Sequence, residues 1–177
     1  MSSFSDIKLL AMDVDGVLTD GGLYIGKNGE IAKCFNVQDG MGISIANRSG
    51  LVIALISGRS KEIVNERAKE LKIKYCFAEE NDKRERLKKI MQELQLTENQ
   101  VAYIGDDLND LPAFTVAGLK IAVQNARQEV KDAADYVTKF FGGHGAVREV
   151  IEKILKEQNK WDEVVQEYKK TGQGDRQ

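Results

Sequence analysis

Asp13 and Asp15, two carboxylates separated by a single residue, close the short apolar run Ile7–Met12. Bounded by turn signals, that run reads as a buried parallel strand. Residues two apart on a strand share a face, so both carboxylates emerge together where desolvating a charge is costly. At about 4 Å two anions repel by roughly 1 kcal/mol in water and ~4 kcal/mol at an effective dielectric near 20. A hard cation removes that cost, and Mg²⁺ favours carboxylate, carbonyl and water oxygens. Gly16 lets the backbone approach a ligand closely, and Thr19 offers a hydroxyl. The competing reading is an Asx-rich turn after an edge strand, and partners further along the chain decide between the two.

Those partners follow in order: Ser57-Gly58-Arg59 after the apolar run Leu51–Ile56, Lys83 where a helix begins, and Gly105-Asp106-Asp107-Leu108-Asn109-Asp110 after Gln100–Ile104. Taken singly, Ser57 could cap a helix, Lys83 could be a solvated charge and Asp110 could cap the next helix. Taken together, the clusters ending in Asp13/Asp15, Ser57 and Asp106 each follow a strand-like run. Parallel sheets bind ligands at the carboxyl ends of their strands.

The elements that must position these groups alternate. Asn28-Gly29 between two β-prone runs is a hairpin signal, so residues 22–37 are expected to project from the sheet. Asp39-Gly40-Met41 opens a helix through Asn47, and Ser60 can cap the helix carrying Ile63, Val64, Ala68 and Leu71. Ile73–Ala78 reads as a strand, and Leu87, Ile90, Met91 and Leu94 give one apolar helix face from Lys83. A short helix stopped at Gly118 and strands near Leu119–Val123 and Asp135–Val137 follow. Strands alternating with helices predict an α/β fold, a parallel sheet with helices on both faces. Past Gly142-Gly143-His144-Gly145, a helix carries Val147, Val150, Ile151, Ile154 and Leu155. Residues 1–157 read as one domain and 158–177 as a helical extension and tail. The apolar stripe Trp161, Val164, Val165, Tyr168 docks either on its own domain or on a neighbouring subunit, and Thr171–Gln177 is expected to fray.

A chain of 177 residues can bury one substantial core. Its formal net charge of −2 supplies no basic field for nucleic acid. No apolar run approaches a membrane span and no signal peptide opens the chain. Cys34 and Cys76 lack metal-ligand spacing and read as reduced thiols, which points to the cytoplasm.

The set Asp13-x-Asp15-Gly-Val-Leu-Thr, Ser57-Gly-Arg, Lys83 and Gly105-Asp106-Asp107-x-Asn-Asp110 resembles the haloacid dehalogenase (HAD) phosphohydrolases. The resemblance spans about Ile7 to Ile154 and implies a three-layer Rossmann-like fold. It also implies an Mg²⁺-dependent phosphomonoesterase. Asp13 would attack phosphorus to give an aspartyl-phosphate, and Asp15 would act as acid and then base. Ser57 would bind the phosphoryl group and Lys83 would neutralise it. Mg²⁺ would be held by Asp13, the backbone carbonyl of Asp15 and Asp106, with Asp107 or Asp110 behind. The intervals between motifs are too short for an independently folded cap domain, which leaves the site open unless another subunit covers it.

Asp-Val-Asp-Gly-Val-Leu-Thr-Asp-Gly, the hairpin, Val37-Gln38-Asp39-Gly40-Met41-Gly42 and Gly142-Gly143-His144-Gly145-Ala146-Val147-Arg148-Glu149 resemble one subfamily. These are the phosphatases of 3-deoxy-D-manno-octulosonate (KDO) 8-phosphate in lipopolysaccharide synthesis. That resemblance implies a homotetramer assembled through the hairpins, with neighbouring subunits closing the site. A phosphorylated sugar acid carries a carboxylate, which an arginine fork suits. Thr19, Gly58, Arg59 and Arg67 are therefore the candidate substrate contacts, with His144 a weaker one. Related enzymes acting on 9-phosphates of nine-carbon sialic-type acids are similar to this chain but carry a glutamate at the place of Arg59. Ala78-Glu79-Glu80-Asn81-Asp82 departs from the Gln-Gly pair usual before the lysine. A catalytically idle HAD assembly module is the non-enzymatic alternative.

Overall fold

Runs of three to five mostly apolar residues form the inner strands. The computed structural model describes residues 3–59 and 61–171. In chain order these contain β1 (Leu9–Met12), β2 (Tyr24–Gly26), β3 (Gly29–Ala32), α1 (Val37–Arg48), β4 (Val52–Ile56), α2 (Lys61–Glu70), β5 (Tyr75–Phe77) and α3 (Lys83–Leu94). Then follow β6 (Val101–Gly105), α4 (Leu111–Phe114), β7 (Leu119–Ala122), α5 (Gln128–Ala133), β8 (Tyr136–Val137), α6 (Ala146–Glu157) and α7 (Trp161–Thr171).

Six strands make one parallel sheet in the order β5-β4-β1-β6-β7-β8. Every residue of β1 and β6 is buried, as helix-covered parallel strands require. The chain first winds outward from β1 through β4 to β5, then crosses back to lay β6 against the other side of β1. The winding direction therefore changes between β1 and β6, which opens a crevice beyond their carboxyl ends. Met12 pairs with both Leu55 and Ile104, so Asp13, Ser57 and Asp106 leave the sheet at nearly one level.

The hairpin of β2 and β3 pairs only with itself and stands off the sheet. A single bridge between Thr19 and Phe35 closes its base. Its turn is not the primed type that Asn-Gly signals, because of Lys27, Asn28 and Gly29 only Gly29 has positive φ.

One helix start differs from the sequence expectation, and one helix was not expected at all. Asn36, not Asp39, caps α1: its side-chain oxygen accepts the N–H groups of Gln38 at 2.7 Å and Asp39 at 3.3 Å. Asp39 sits inside the first turn, fully buried, where its carboxylate accepts the N–H of Gly145 at 3.1 Å and of Arg148 at 2.8 Å. The start of α6 has no side-chain cap of its own, and Asp39 supplies one from α1. The sequence reading contained no α5, whose single buried side chain, Val130, makes no periodic stripe. Ser60 as a cap and the tail 172–177 lie outside the described residues.

On α7, Trp161, Val164 and Tyr168 pack against the core of their own chain. Arg148 lies over the Trp161 ring at 5.2 Å, and Arg48 both stacks on Tyr168 and donates to its hydroxyl. Three of the four residues of the expected stripe thus berth on their own chain.

Candidate active site

The turn after β1 is folded by its own polar atoms. The Thr19 hydroxyl oxygen accepts the N–H groups of Gly16 at 3.3 Å and Gly21 at 3.2 Å. Thr19 is wholly buried, so its oxygen organises the turn and is not turned toward a ligand. Gly16 has φ +83°, and a Cβ there would overlap the Asp106 carboxylate. Only glycine permits that approach. The later Gly142-Gly143 pair is laid on the same turn: Gly143 donates to the carbonyl of Val17 at 2.9 Å, and a Cβ on Gly142 would strike the Gly16 carbonyl. This loop thereby braces the turn that carries Asp13 and Asp15.

Asp13 is 5% exposed. Its Oδ1 accepts the Val14 N–H at 2.7 Å, and its Oδ2 lies 2.7 Å from Lys83 Nζ. Lys83, first residue of α3, is not a solvated helix charge: it is buried, and its Nζ also reaches Asp110 Oδ1 at 2.7 Å. Asp82 caps α3 by accepting the Glu85 N–H at 3.0 Å, which fixes where the lysine starts. Asp110 is the organising anion. Oδ1 accepts from Lys83 and from the Tyr103 hydroxyl at 2.9 Å, and Oδ2 accepts the N–H of Asp106 at 2.9 Å and of Asp107 at 3.3 Å. Asp110 shares the buried cluster, whereas Asp107 turns outward to accept the Leu108 N–H at 2.7 Å.

Carboxylate oxygens of Asp13, Asp106 and Asp110 lie within 4.8 Å of one another. Burial, Asp13, Asp110 and Asp107 push the Asp106 carboxyl up to about 8, with Lys83 opposing. Burial and Asp110 likewise raise Asp13 to about 6, against the pull of Lys83. One ammonium does not neutralise this many acids, and oxygen-only donors in excess negative charge suit a hard divalent cation.

A cleft of about 700 Å³ opens above, lined by Asp13, Asp15, Gly16, Gly21, Leu23, Gly58, Arg59, Asp106, Asp107 and Asn109. Arg59 is half-exposed there, its Nε 4.0 Å from Asp15 Oδ2. Ser57 is buried beneath, its hydroxyl oxygen accepting the Arg59 N–H at 3.2 Å. The departing loop before Lys83 is stitched to this corner, with Glu79 N–H on the Arg59 carbonyl at 3.0 Å and Glu80 N–H on that of Ser57 at 2.9 Å. Glu79 adopts φ +59°, a left-handed conformation that a glycine would take without strain.

Besides Thr19, two further candidates are not brought to the cleft within one chain. Arg67 pairs with Glu70 at 2.7 Å and lies over the Phe35 ring at 5.5 Å, because α2 carries it down the side of the molecule under the hairpin. His144 turns its Nδ1 back onto the Gly142 carbonyl at 2.9 Å. Conversely, sequence reasoning missed Tyr103, Lys33, Leu23 and Asn109. Tyr103 had a signal, since a hydroxyl in an aliphatic buried strand needs a partner. Lys33, on the chain just beyond β3, reaches Asp15 Oδ1 at 2.5 Å, and nothing in a hairpin's composition announces that.

A family model described as haloacid dehalogenase-like hydrolase matches residues 75–151. The chain is 42% identical over 163 residues to 3-deoxy-D-manno-octulosonate 8-phosphate phosphatase KdsC of Escherichia coli (strain B / BL21-DE3), covering 92% of this chain and 87% of that one. The crystal structure of 3-deoxy-D-manno-octulosonate 8-phosphate phosphatase from Moraxella catarrhalis, in complex with a magnesium ion, a phosphate ion and a KDO molecule, superposes with TM-score 0.89 at 43% identity. That match covers 93% of this chain and 95% of the other. A cobalt-bound deoxy-D-mannose-octulosonate 8-phosphate phosphatase from Haemophilus influenzae gives TM-score 0.87 at 42% identity, covering 89% and 92%.

Proposed function

Because the chain belongs to the 3-deoxy-D-manno-octulosonate 8-phosphate phosphatases among the haloacid dehalogenase-like hydrolases, we propose that it removes phosphate from KDO 8-phosphate in an Mg²⁺-dependent reaction. The observation that carries this reading is the shared cleft. Asp13, Asp15 and Asp106 face it together, and Lys83 sits behind Asp13.

Asp13 acts as the nucleophile. Its carboxylate attacks phosphorus, the P–O bond to the sugar alcohol breaks, and the phosphoryl group passes to Asp13 as an aspartyl-phosphate. The contact with Lys83 holds one oxygen of Asp13 in place and stabilises the charge that spreads during transfer. Asp15, beside the leaving group, delivers its proton to the departing alkoxide and then takes one from the water that hydrolyses the intermediate. Ser57 hydrogen-bonds the phosphoryl group, and Gly58 lets it approach. Arg59 is the cation within the cleft for the substrate carboxylate. Asp13, Asp106 and the Asp15 carbonyl would hold Mg²⁺, which would supply the positive charge that the neighbouring carboxylates lack. Asp110 holds Lys83 and the Asp106–Asp107 backbone in register, and Asp107 stands at the rim.

The enzyme works as a homotetramer in the cytoplasm, in lipopolysaccharide synthesis. Support for assembly is the exposed apolar hairpin, where Tyr24, Ile25 and Ile31 are 50–68% exposed, with Val37 at the start of α1 71% exposed. Support for a reducing compartment is that Cys34 and Cys76 are both free thiols. Arg67, under the hairpin, reaches substrate only across such an interface.

Phosphate release from KDO 8-phosphate and from a sialic-type 9-phosphate, each with Mg²⁺ and with EDTA, tests the reading. The expected result is Mg²⁺-dependent preference for the eight-carbon ester, abolished in Asp13→Asn without loss of fold. Preference for the nine-carbon ester overturns the substrate, and full activity of Asp13→Asn overturns the nucleophile.

A further inference from the structure

The hairpin contributes a residue to the reaction that no motif contains. Lys33 lies at its base, and its side chain is fully covered. Nζ is 2.5 Å from Asp15 Oδ1 and 2.7 Å from Glu30 Oε1 on the same hairpin. The lysine is thus anchored on one side and grips Asp15 with the other. Asp15 Oδ2 is left toward the cleft, 4.0 Å from Arg59 Nε. A carboxylate with one oxygen pinned has lost the rotation that would exchange its two oxygens.

The geometry points to Lys33 as the positioning residue of the acid–base Asp15: it fixes Oδ1 so that Oδ2 alone faces the leaving ester oxygen. This rests on the phosphatase reading above. In the transfer step Asp13 forms the new O–P bond and the ester P–O bond breaks. The proton on Asp15 Oδ2 moves to the departing oxygen, while Lys33 keeps all its protons throughout. A general acid 1 Å astray loses much of its effect, because proton transfer demands a heavy-atom approach of about 2.6–3.2 Å. The cation reaches this position from an element outside the sheet, so the geometry of the acid depends on how the hairpin is seated. None of the phosphoryl-contacting groups depends on it in the same way.

The test uses leaving groups of different basicity on the Mg²⁺-loaded full chain. An alkyl ester, KDO 8-phosphate, needs the acid; p-nitrophenyl phosphate, whose leaving group departs unaided, does not. Lys33→Met keeps the aliphatic stem and removes the ammonium. The expected result is a fall in kcat/KM of roughly 10- to 100-fold on the alkyl ester and less than about threefold on the aryl ester. Asp15→Asn should show the same selectivity more strongly. Lys33→Arg keeps the charge with its donors displaced, and should show the same selectivity with a smaller ratio; it also serves as the test should Lys33→Met melt early. Equal losses on both esters, or an unchanged alkyl-ester rate, overturn the role of Lys33. If Asp15→Asn itself lacks the selectivity, the acid assignment falls instead. If the native protein hydrolyses neither ester, the phosphatase reading falls.

Discussion

Asp13, Asp106 and Asp110 share one ammonium at the floor of the cleft, and the imbalance has a thermodynamic signature. Asp106 titrates near 8 and Asp13 near 6 in the folded metal-free protein, against an ordinary value of 3.8. A raised acid pKa means that the folded state binds the proton more tightly than the unfolded one. Its contribution is fully present below the unfolded pKa and is lost as pH rises through the folded values. Metal-free protein should therefore lose stability between about pH 4 and 8, by several kcal/mol at ~1.4 kcal/mol for each unit by which a folded value is raised. Mg²⁺ should restore it, and most strongly at the alkaline end. Asp106→Asn should flatten the metal-free profile and abolish the Mg²⁺ response. Urea titrations at several pH values check this, and a flat native profile refutes it.

Among elements, the contact between α1 and α6 shows best what sequence reading can and cannot reach. The apolar stripe of α6 and the strands that precede Asp13, Ser57 and Asp106 were legible because periodicity reports burial. The three motif-bearing turns were legible because they follow those strands. Asp39 was not, since an aspartate near a helix start reads as a local cap, and its real partners lie more than a hundred residues away. Lys33 was hidden for a similar reason, since its partner Asp15 belongs to a different turn, whereas Thr19 and Asp110 accept N–H groups within or beside their own turns, which leaves no periodic signal. Asp39→Ala leaves two α6 N–H groups buried without an acceptor. It should cost about 1–3 kcal/mol, read as an unfolding midpoint shift. Ending the chain at Lys160 uncovers the seat of Trp161, Val164 and Tyr168. It should lower stability by about 1–3 kcal/mol. A truncated chain that melts like the full one refutes that packing argument.

At the scale of the whole molecule, the sheet delivers the catalytic turns, and the open cleft and the bare hairpin are complementary deficiencies. The absence of a cap domain follows from short intervals between motifs, and this was readable directly. The proposed cover by neighbouring copies came from the family resemblance alone, because an interface between copies leaves no periodicity within one chain. Ile25→Asp with Ile31→Asp places two charges on the 64% and 68% exposed side chains of the hairpin. This pair of changes should convert the proposed tetramer to smaller species by sedimentation while the fold survives. It should also depress turnover of KDO 8-phosphate by at least about tenfold if neighbouring subunits complete the site. Sedimentation identical to the native protein refutes assembly through the hairpin.

The bridge between Thr19 and Phe35 and the grip of Lys33 on Asp15 fasten the hairpin at its root, whereas Lys27 and Asn28 at its tip touch neither. Length and sequence at that tip can consequently drift, or be extended by insertion, without disturbing the carboxylates below. It is the point on this scaffold where a lineage could graft a lid of its own and exchange dependence on its neighbours for self-sufficiency.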